Sequence, residues 1–233
     1  VGFAQAPGAD ALVFLPLVGI VTGLIAGATG WAASLVTPHA VAAAIAFAAL
    51  ILVTGAIHID GFLDSSDALF ASVEPHRRLD IMKDPRHGTY AIAAFAALGA
   101  VWLAAIWCLP PRLYPGSFAL SAGTARWAMT LNAFFVPYAR EGGLAEAVGN
   151  RPPLAGALGW GAVFCATGYF LSPIMPALVP LAAVAAAGIG SWARGRLGGG
   201  LTGDVYGFGI TVLEAGGLLL IAAVQASTWA PRT

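Results

Sequence analysis

Charge is what this chain has least of. Only 9% of its 233 residues are Asp, Glu, Lys or Arg, whereas a soluble domain carries about 25%. Hydrophobic residues make up 59% and the mean hydropathy is +0.82, which argues against a water-soluble globule and implies a membrane protein. The net charge is zero and no basic run occurs, so the electrostatic footprint of a nucleic-acid partner is missing. Cysteine is nearly absent. Cys108 and Cys165 lie in apolar segments without metal or redox spacing and read as small buried hydrophobes. The first residues, VGFAQAPGAD, lack the basic start and cleavage pattern of a signal peptide. No segment alternates with the period of two that marks a strand.

What remains is a series of long apolar runs. A membrane-spanning helix needs about 20 mainly apolar residues. Seven stretches meet that length approximately: 11–30, 39–59, 89–109, 118–138, 154–171, 174–192 and 205–229. The expected fold is therefore all-α, a polytopic membrane bundle of about seven helices, with residues 1–233 forming one transmembrane catalytic domain. The SPIMP stretch at 172–176 is a point where the fifth and sixth segments can kink.

Sidedness follows from the loops. With seven spans, loops 60–88, 139–153 and 193–204 share a face carrying Arg77, Arg78, Lys83, Arg86, Arg140, Arg151, Arg194 and Arg196. The opposite face has only Arg112 and Arg232, so the rich face is expected to be cytoplasmic. Acidic residues have little influence on orientation, yet Asp60, Asp64, Asp67, Glu74, Asp80, Asp84, Glu141, Glu146 and Asp204 crowd the same face. A passive bundle gives no reason for that crowding; a cytoplasm-facing active site does.

The stretch HIDGFLDSSDALF (58–70) concentrates the acids. On a helix, Asp60, Asp64 and Asp67 fall at i, i+4 and i+7, a narrow arc of one face. Like charges so placed repel by about a few tenths of a kcal/mol per pair, and a cation between them relieves this. Oxygen ligands suit Mg²⁺, which typically takes one or two carboxylates and completes its shell with substrate phosphates. No twelve-residue calcium loop of the EF-hand kind is present. The plain alternative is a solvated helix end.

Two other loops carry phosphate-binding chemistry. In RRLDIMKDPRHGTY (77–90), Lys83 and Arg86 bracket Asp84 beside a Pro–Gly turn. Arg77 and Arg78 read as ordinary positive-inside residues. RGRLGGGLTGDVYGFG (194–209) is glycine-rich and lacks the G-K-[ST] of nucleotide hydrolases. Arg194 and Arg196 add cationic capacity there, and Asp204 either caps the last helix or completes the metal site. Arg126 lies about 18 Å deep and Glu214 about 15 Å deep by helix rise. Ionisable groups at such depth line cavities or pair with each other, so both are expected to face the bundle interior.

Together HIDGFLDSSDALF, IMKDPRHGTY, RWAM…PYAR (126–140) and LGGGLTGDVYG…E (197–214) resemble the cobalamin 5′-phosphate synthase family, also called adenosylcobinamide-GDP ribazoletransferase. The resemblance runs from about residue 12 to about 220, in order. It implies a Mg²⁺-dependent bacterial inner-membrane enzyme that joins adenosylcobinamide-GDP to α-ribazole or its 5′-phosphate, giving adenosylcobalamin or its phosphate and GMP. By that resemblance Asp60, Asp64 and Asp67 match the acidic, metal-holding motif. Lys83, Asp84 and Arg86 match the second motif, and Thr202, Gly203, Asp204 and Glu214 the last. Asp67, Lys83, Asp84 and Arg86 are the expected catalytic set, with Asp67 as the base. Arg126, Arg140, Arg194 and Arg196 join the last motif in binding substrate. Self-association into a homo-oligomer is left open.

Two competing readings remain. A CDP-alcohol phosphatidyltransferase would continue its acidic motif as D-G-x-x-A-R, but Phe62, Leu63, Asp64 and Ser65 follow Gly61. A small transporter would suit the buried Arg126 and Glu214, but it has no need of acids gathered on one face and would show inverted repeats.

Overall fold

The computed structural model describes residues 9–139 and 153–229. Arg140 and Arg151 lie outside the described residues. Nine α-helices occur within them: α1 (Leu15–Ser34), α2 (His39–Val53), α3 (Ile57–Phe70), α4 (Pro75–Ile81), α5 (Thr89–Cys108), α6 (Tyr114–Thr130), α7 (Leu154–Leu171), α8 (Leu178–Leu197) and α9 (Gly203–Trp229). The all-α membrane bundle expected from the sequence is what forms. Among the described residues, four helical stretches are long and apolar enough to cross a membrane: Leu12–Ser34, Thr89–Cys108, Met175–Leu197 and Gly203–Ala226. A fifth arises if the bent pair α2–α3 counts as one span.

That pair corrects the second segment, expected to run straight over 39–59. Helix α2 stops at Val53, and α3 departs at 87°. Between them Gly55 (φ +62°) and Ala56 (φ +59°) both adopt the left-handed conformation. Glycine takes it freely, whereas alanine does so against a steric penalty. The turn releases α3 from the direction of α2 and makes the acidic stretch a separate helix.

Helix α6 is the axis of the bundle. Nearly all its side chains are buried, including Ser117, Ser121, Thr124, Arg126 and Thr130. A helix surrounded by protein can carry such polar groups because other helices satisfy them; Ser121 donates to the carbonyl of Glu214 across to α9, 2.8 Å away. Helix α1 lies directly on α6 through Gly19, Gly23 and Gly27. A Cβ on Gly23 would stand 2.5 Å from the Phe118 carbonyl oxygen, and one on Gly27 2.6 Å from that of Tyr114. Small residues four apart let two backbones touch, the usual device of helix pairing in lipid. The outer helices present large apolar side chains, among them Leu17, Val21, Leu24, Val101, Trp107, Phe170 and Val184. Such a belt belongs against hydrocarbon rather than water. Cys108 is exposed there too, contrary to the buried position expected, and Cys165 is half-buried.

The two ends of the bundle differ. At one end His39 Nε2 lies 3.0 Å from both the Leu109 carbonyl and the Tyr114 hydroxyl, knitting the α1–α2 and α5–α6 connections. At the other, loops 60–88 and 193–204, which the sequence grouped on one face, do meet. Arg196, on α8, donates to the carbonyls of Leu69, in the last turn of α3, and Ala71, just past it. Arg78 on α4 donates to the carbonyls of Ala71 and Arg196. The segment before residue 140 joins the glycine-rich loop by paired bonds, Ala139 N to Leu201 O (2.8 Å) and Leu201 N to Pro137 O (3.0 Å).

Candidate active site

Helix α3 reaches its place by packing on the start of α9. A Cβ on Gly61 would lie 2.9 Å from the Asp204 carbonyl oxygen, so only glycine permits this approach. Phe62 and Phe208 stack with ring centroids 5.2 Å apart, and Thr211 donates to the His58 carbonyl at 3.0 Å. The start of α9 is itself set by Thr202, buried, whose Oγ1 accepts from Val205 N at 3.4 Å. Thr202, rather than Asp204, caps the helix. Gly203 N donates to the Tyr138 hydroxyl at 3.3 Å.

The joint opens a cavity of about 700 Å³, lined by α1, the α2–α3 turn, α6 and α9. That volume falls within the range of small-molecule sites. Asp60, solvent-exposed, and Asp204, half-buried, both line it and define its mouth. Arg126, 1% exposed, lines its inner end, and Leu15, Val18, Met129 and Ile210 make much of the wall apolar. Arg126 Nη1 donates to Glu214 Oε1 and, at 3.0 Å, to the Ala122 carbonyl. The two deep charges therefore face the bundle interior, as their depth predicted, and of the two options open to them they pair with each other. Glu214 is 3% exposed.

The three aspartates of α3 do share one helix, but their carboxylates serve different neighbours. Asp60 borders the cavity. Asp64 stands 3.6 Å from His87 Nδ1. Asp67 reaches the N-terminus of α5, where one oxygen accepts from Gly88 N and the other from Ala91 N at 3.0 Å. It thus supplies a side-chain cap to a helix that has none of its own. Among the described residues no three His, Cys, Asp or Glu side chains form a ready-made metal cage.

The second motif makes its own closed turn. Arg86 grips Asp84 through Nε and Nη2 at 2.8 and 2.7 Å, and its backbone N–H donates to the same carboxylate at 3.1 Å. Those hydrogen bonds hold the Asp84 carboxyl down at about 2 against an ordinary 3.8. Lys83 and Arg194 are exposed at the loop-rich end. Arg196 is committed to α3 carbonyls, which makes it a structural clamp. The clamp, the Thr202 cap, the Asp67 cap and Tyr138 left no trace in residue spacing; only the turn-like glycines around 198–203 hinted at the loop that carries two of them.

An all-helical membrane protein with a largely apolar cavity, bordered by Asp60 and Asp204 and backed by the buried Arg126–Glu214 pair, is the class these features define. The chain belongs to the cobalamin-5-phosphate synthase family, whose model matches residues 2–222. It is 34% identical over 218 residues to the adenosylcobinamide-GDP ribazoletransferase of Pseudomonas putida, covering 91% of this chain and 86% of that protein. The proteins of the same name from Deinococcus radiodurans (38% over 213 residues; 88% and 73% covered) and Brucella ovis (35% over 202; 82% and 77%) are similar. No solved structure matches the chain significantly.

Proposed function

We propose that this chain is an adenosylcobinamide-GDP ribazoletransferase: it joins adenosylcobinamide-GDP to α-ribazole or its 5′-phosphate and releases GMP. Family membership supports the reaction. The single structural observation that carries the reading is the convergence of Asp60 and Asp204, from helices α3 and α9, on the mouth of one cavity. Because GMP keeps one phosphate, the cobinamide-bearing phosphoryl group is the one transferred. A ribazole hydroxyl forms the new P–O bond as the diphosphate bridge breaks.

Moving a phosphoryl group between such partners is mostly positioning and charge neutralisation. Two carboxylates at an open mouth fit Mg²⁺, which takes few protein oxygens and leaves room for phosphates. Asp60 and Asp204 would hold it, with Asp64 one turn of α3 further on. When bound, Mg²⁺ supplies neutralisation of the diphosphate oxygens and of the charge that develops on the departing phosphate. Lys83 and Arg194, exposed at the loop-rich end, would draw the anionic substrate towards it. Asp67 and the Asp84–Arg86 turn are positioning groups, fixing where α5 begins beside α3. The apolar wall excludes water from the inner half of the cavity. The site faces the cytoplasm of a bacterial inner membrane, which the excess of Lys and Arg at this end supports.

The test is direct. Purified protein in lipid nanodiscs, given adenosylcobinamide-GDP, α-ribazole and Mg²⁺, is expected to release GMP. Absence of GMP, or release of CMP from a CDP-alcohol substrate instead, would reject the assignment.

A further inference from the structure

The chemistry at the inner end of the cavity is more specific than the transfer reaction requires. Arg126 Nη1 is occupied by Glu214 and by the Ala122 carbonyl. Its Nη2 is buried and has no hydrogen-bond partner within the protein. Buried donors are almost always satisfied, and leaving one unmade is expensive, so this nitrogen calls for an acceptor from whatever fills the cavity. Glu214 already neutralises the guanidinium. The pair therefore offers a hydrogen-bond donor without net positive charge to a cavity whose lining includes Leu15, Val18 and Ile210.

That combination selects among the groups a ribazoletransferase must bind. A phosphate dianion placed there would lose its hydration against apolar walls with no uncompensated cation to replace it. Guanine would bring several donors and acceptors to a lining that is mostly apolar, with His58 and a few hydroxyls as its other polar side chains. A benzimidazole is flat and apolar and carries one unprotonated ring nitrogen with an in-plane lone pair. It matches the wall and the donor together.

We propose that the inner end of the cavity is the subsite for the α-ribazole base, with Arg126 Nη2 donating to its unprotonated ring nitrogen. The ribose, and the 5′-phosphate where present, then point towards the mouth, where the carboxylates and the diphosphate meet. This assignment rests on the ribazoletransferase reading. It makes Arg126 a specificity-determining residue for the base, held in orientation by Glu214.

Wild-type protein in nanodiscs tests it without any substitution. GMP release is compared for α-ribazole and for its analogue in which CH replaces the acceptor ring nitrogen, a dimethylindole riboside. Loss of one buried hydrogen bond is expected to raise KM about 10- to 100-fold with kcat nearly unchanged. The double variant Arg126→Met with Glu214→Leu, which removes donor and countercharge together, is expected to bind the two nucleosides alike. Equal kcat/KM for both nucleosides in the wild type would overturn the assignment. So would a double variant that loses only the 5′-phosphorylated acceptor, since that would put the phosphate at Arg126. If α-ribazole itself yields no GMP, the transferase reading falls first and this inference falls with it.

Discussion

Substituting Asp67 separates two roles that an acidic residue on α3 can play. Its carboxylate accepts the Gly88 and Ala91 N–H groups at the start of α5. Removal of a side-chain cap costs about 0.5–2 kcal/mol, and Asp67→Ala strips two such bonds together with a charge favourably placed at a helix N-terminus. We expect about 2 kcal/mol lost for Asp67→Ala and about half of that for Asp67→Asn, which keeps one acceptor oxygen. For a chain of this length that is a fall in Tm of roughly 5 °C for alanine, read by thermal unfolding in detergent. The concentration of Mg²⁺ giving half-maximal GMP release should stay close to the wild-type value in Asp67→Asn. The opposite pattern, an unchanged Tm with a tenfold higher Mg²⁺ requirement, would show that Asp67 is a metal ligand and that its capping role is wrong.

Three other perturbations probe the frame. Glu214→Ala leaves the Arg126 charge buried and alone, and is expected to destabilise by about 3–5 kcal/mol; the double variant Arg126→Met with Glu214→Leu should recover most of that in the same unfolding assay. Gly23→Val puts side-chain carbons where even a Cβ meets the Phe118 carbonyl at 2.5 Å. It should push α1 off α6, open the cavity wall and lower both Tm and GMP release, whereas Val21→Ala on the lipid-facing side should change neither. Asp84 is depressed to about 2 by Arg86. Its ion pair is therefore intact above about pH 4, the ordinary carboxylate range, and is lost as pH falls through 2. Arg86→Ala should return Asp84 to that ordinary range, as followed by carboxyl-labelled NMR titration.

Much of this was legible in the residues because composition and helix rise are local properties. The scarcity of charge announced the membrane bundle, and the depth of Arg126 and Glu214 announced that both face its interior, with pairing as one of two options. The grouping of loops 60–88 and 193–204 followed from the alternation of spans, and Arg78 and Arg196 do hold those loops together. The break at Gly55–Ala56 was not legible, because an unbroken apolar run looks the same whether its helix continues or turns by 87°. The glycines at 19, 23 and 27 were present as a pattern, but their partner α6 lies about a hundred residues away and no spacing names it. The contacts of Asp67 were hidden for a related reason. Its regular spacing from Asp60 and Asp64 suggested a shared ligand set, while the N–H groups it serves, 21 and 24 residues on, are reached only through the packing of α3 on α5.

The central claim is that Asp60, at the cavity mouth, holds the divalent ion on the nucleotide diphosphate. Its sharpest test is GMP release from adenosylcobinamide-GDP and α-ribazole, titrated with Mg²⁺, in the wild type and in Asp60→Asn. We predict that Asp60→Asn inserts and unfolds like the wild type but releases less than about a hundredth of the GMP, the scale of losing one charged contact at the reacting phosphates, with Mg²⁺ dependence weakened in whatever activity remains. Wild-type GMP release with an unaltered Mg²⁺ titration in that variant would contradict the account.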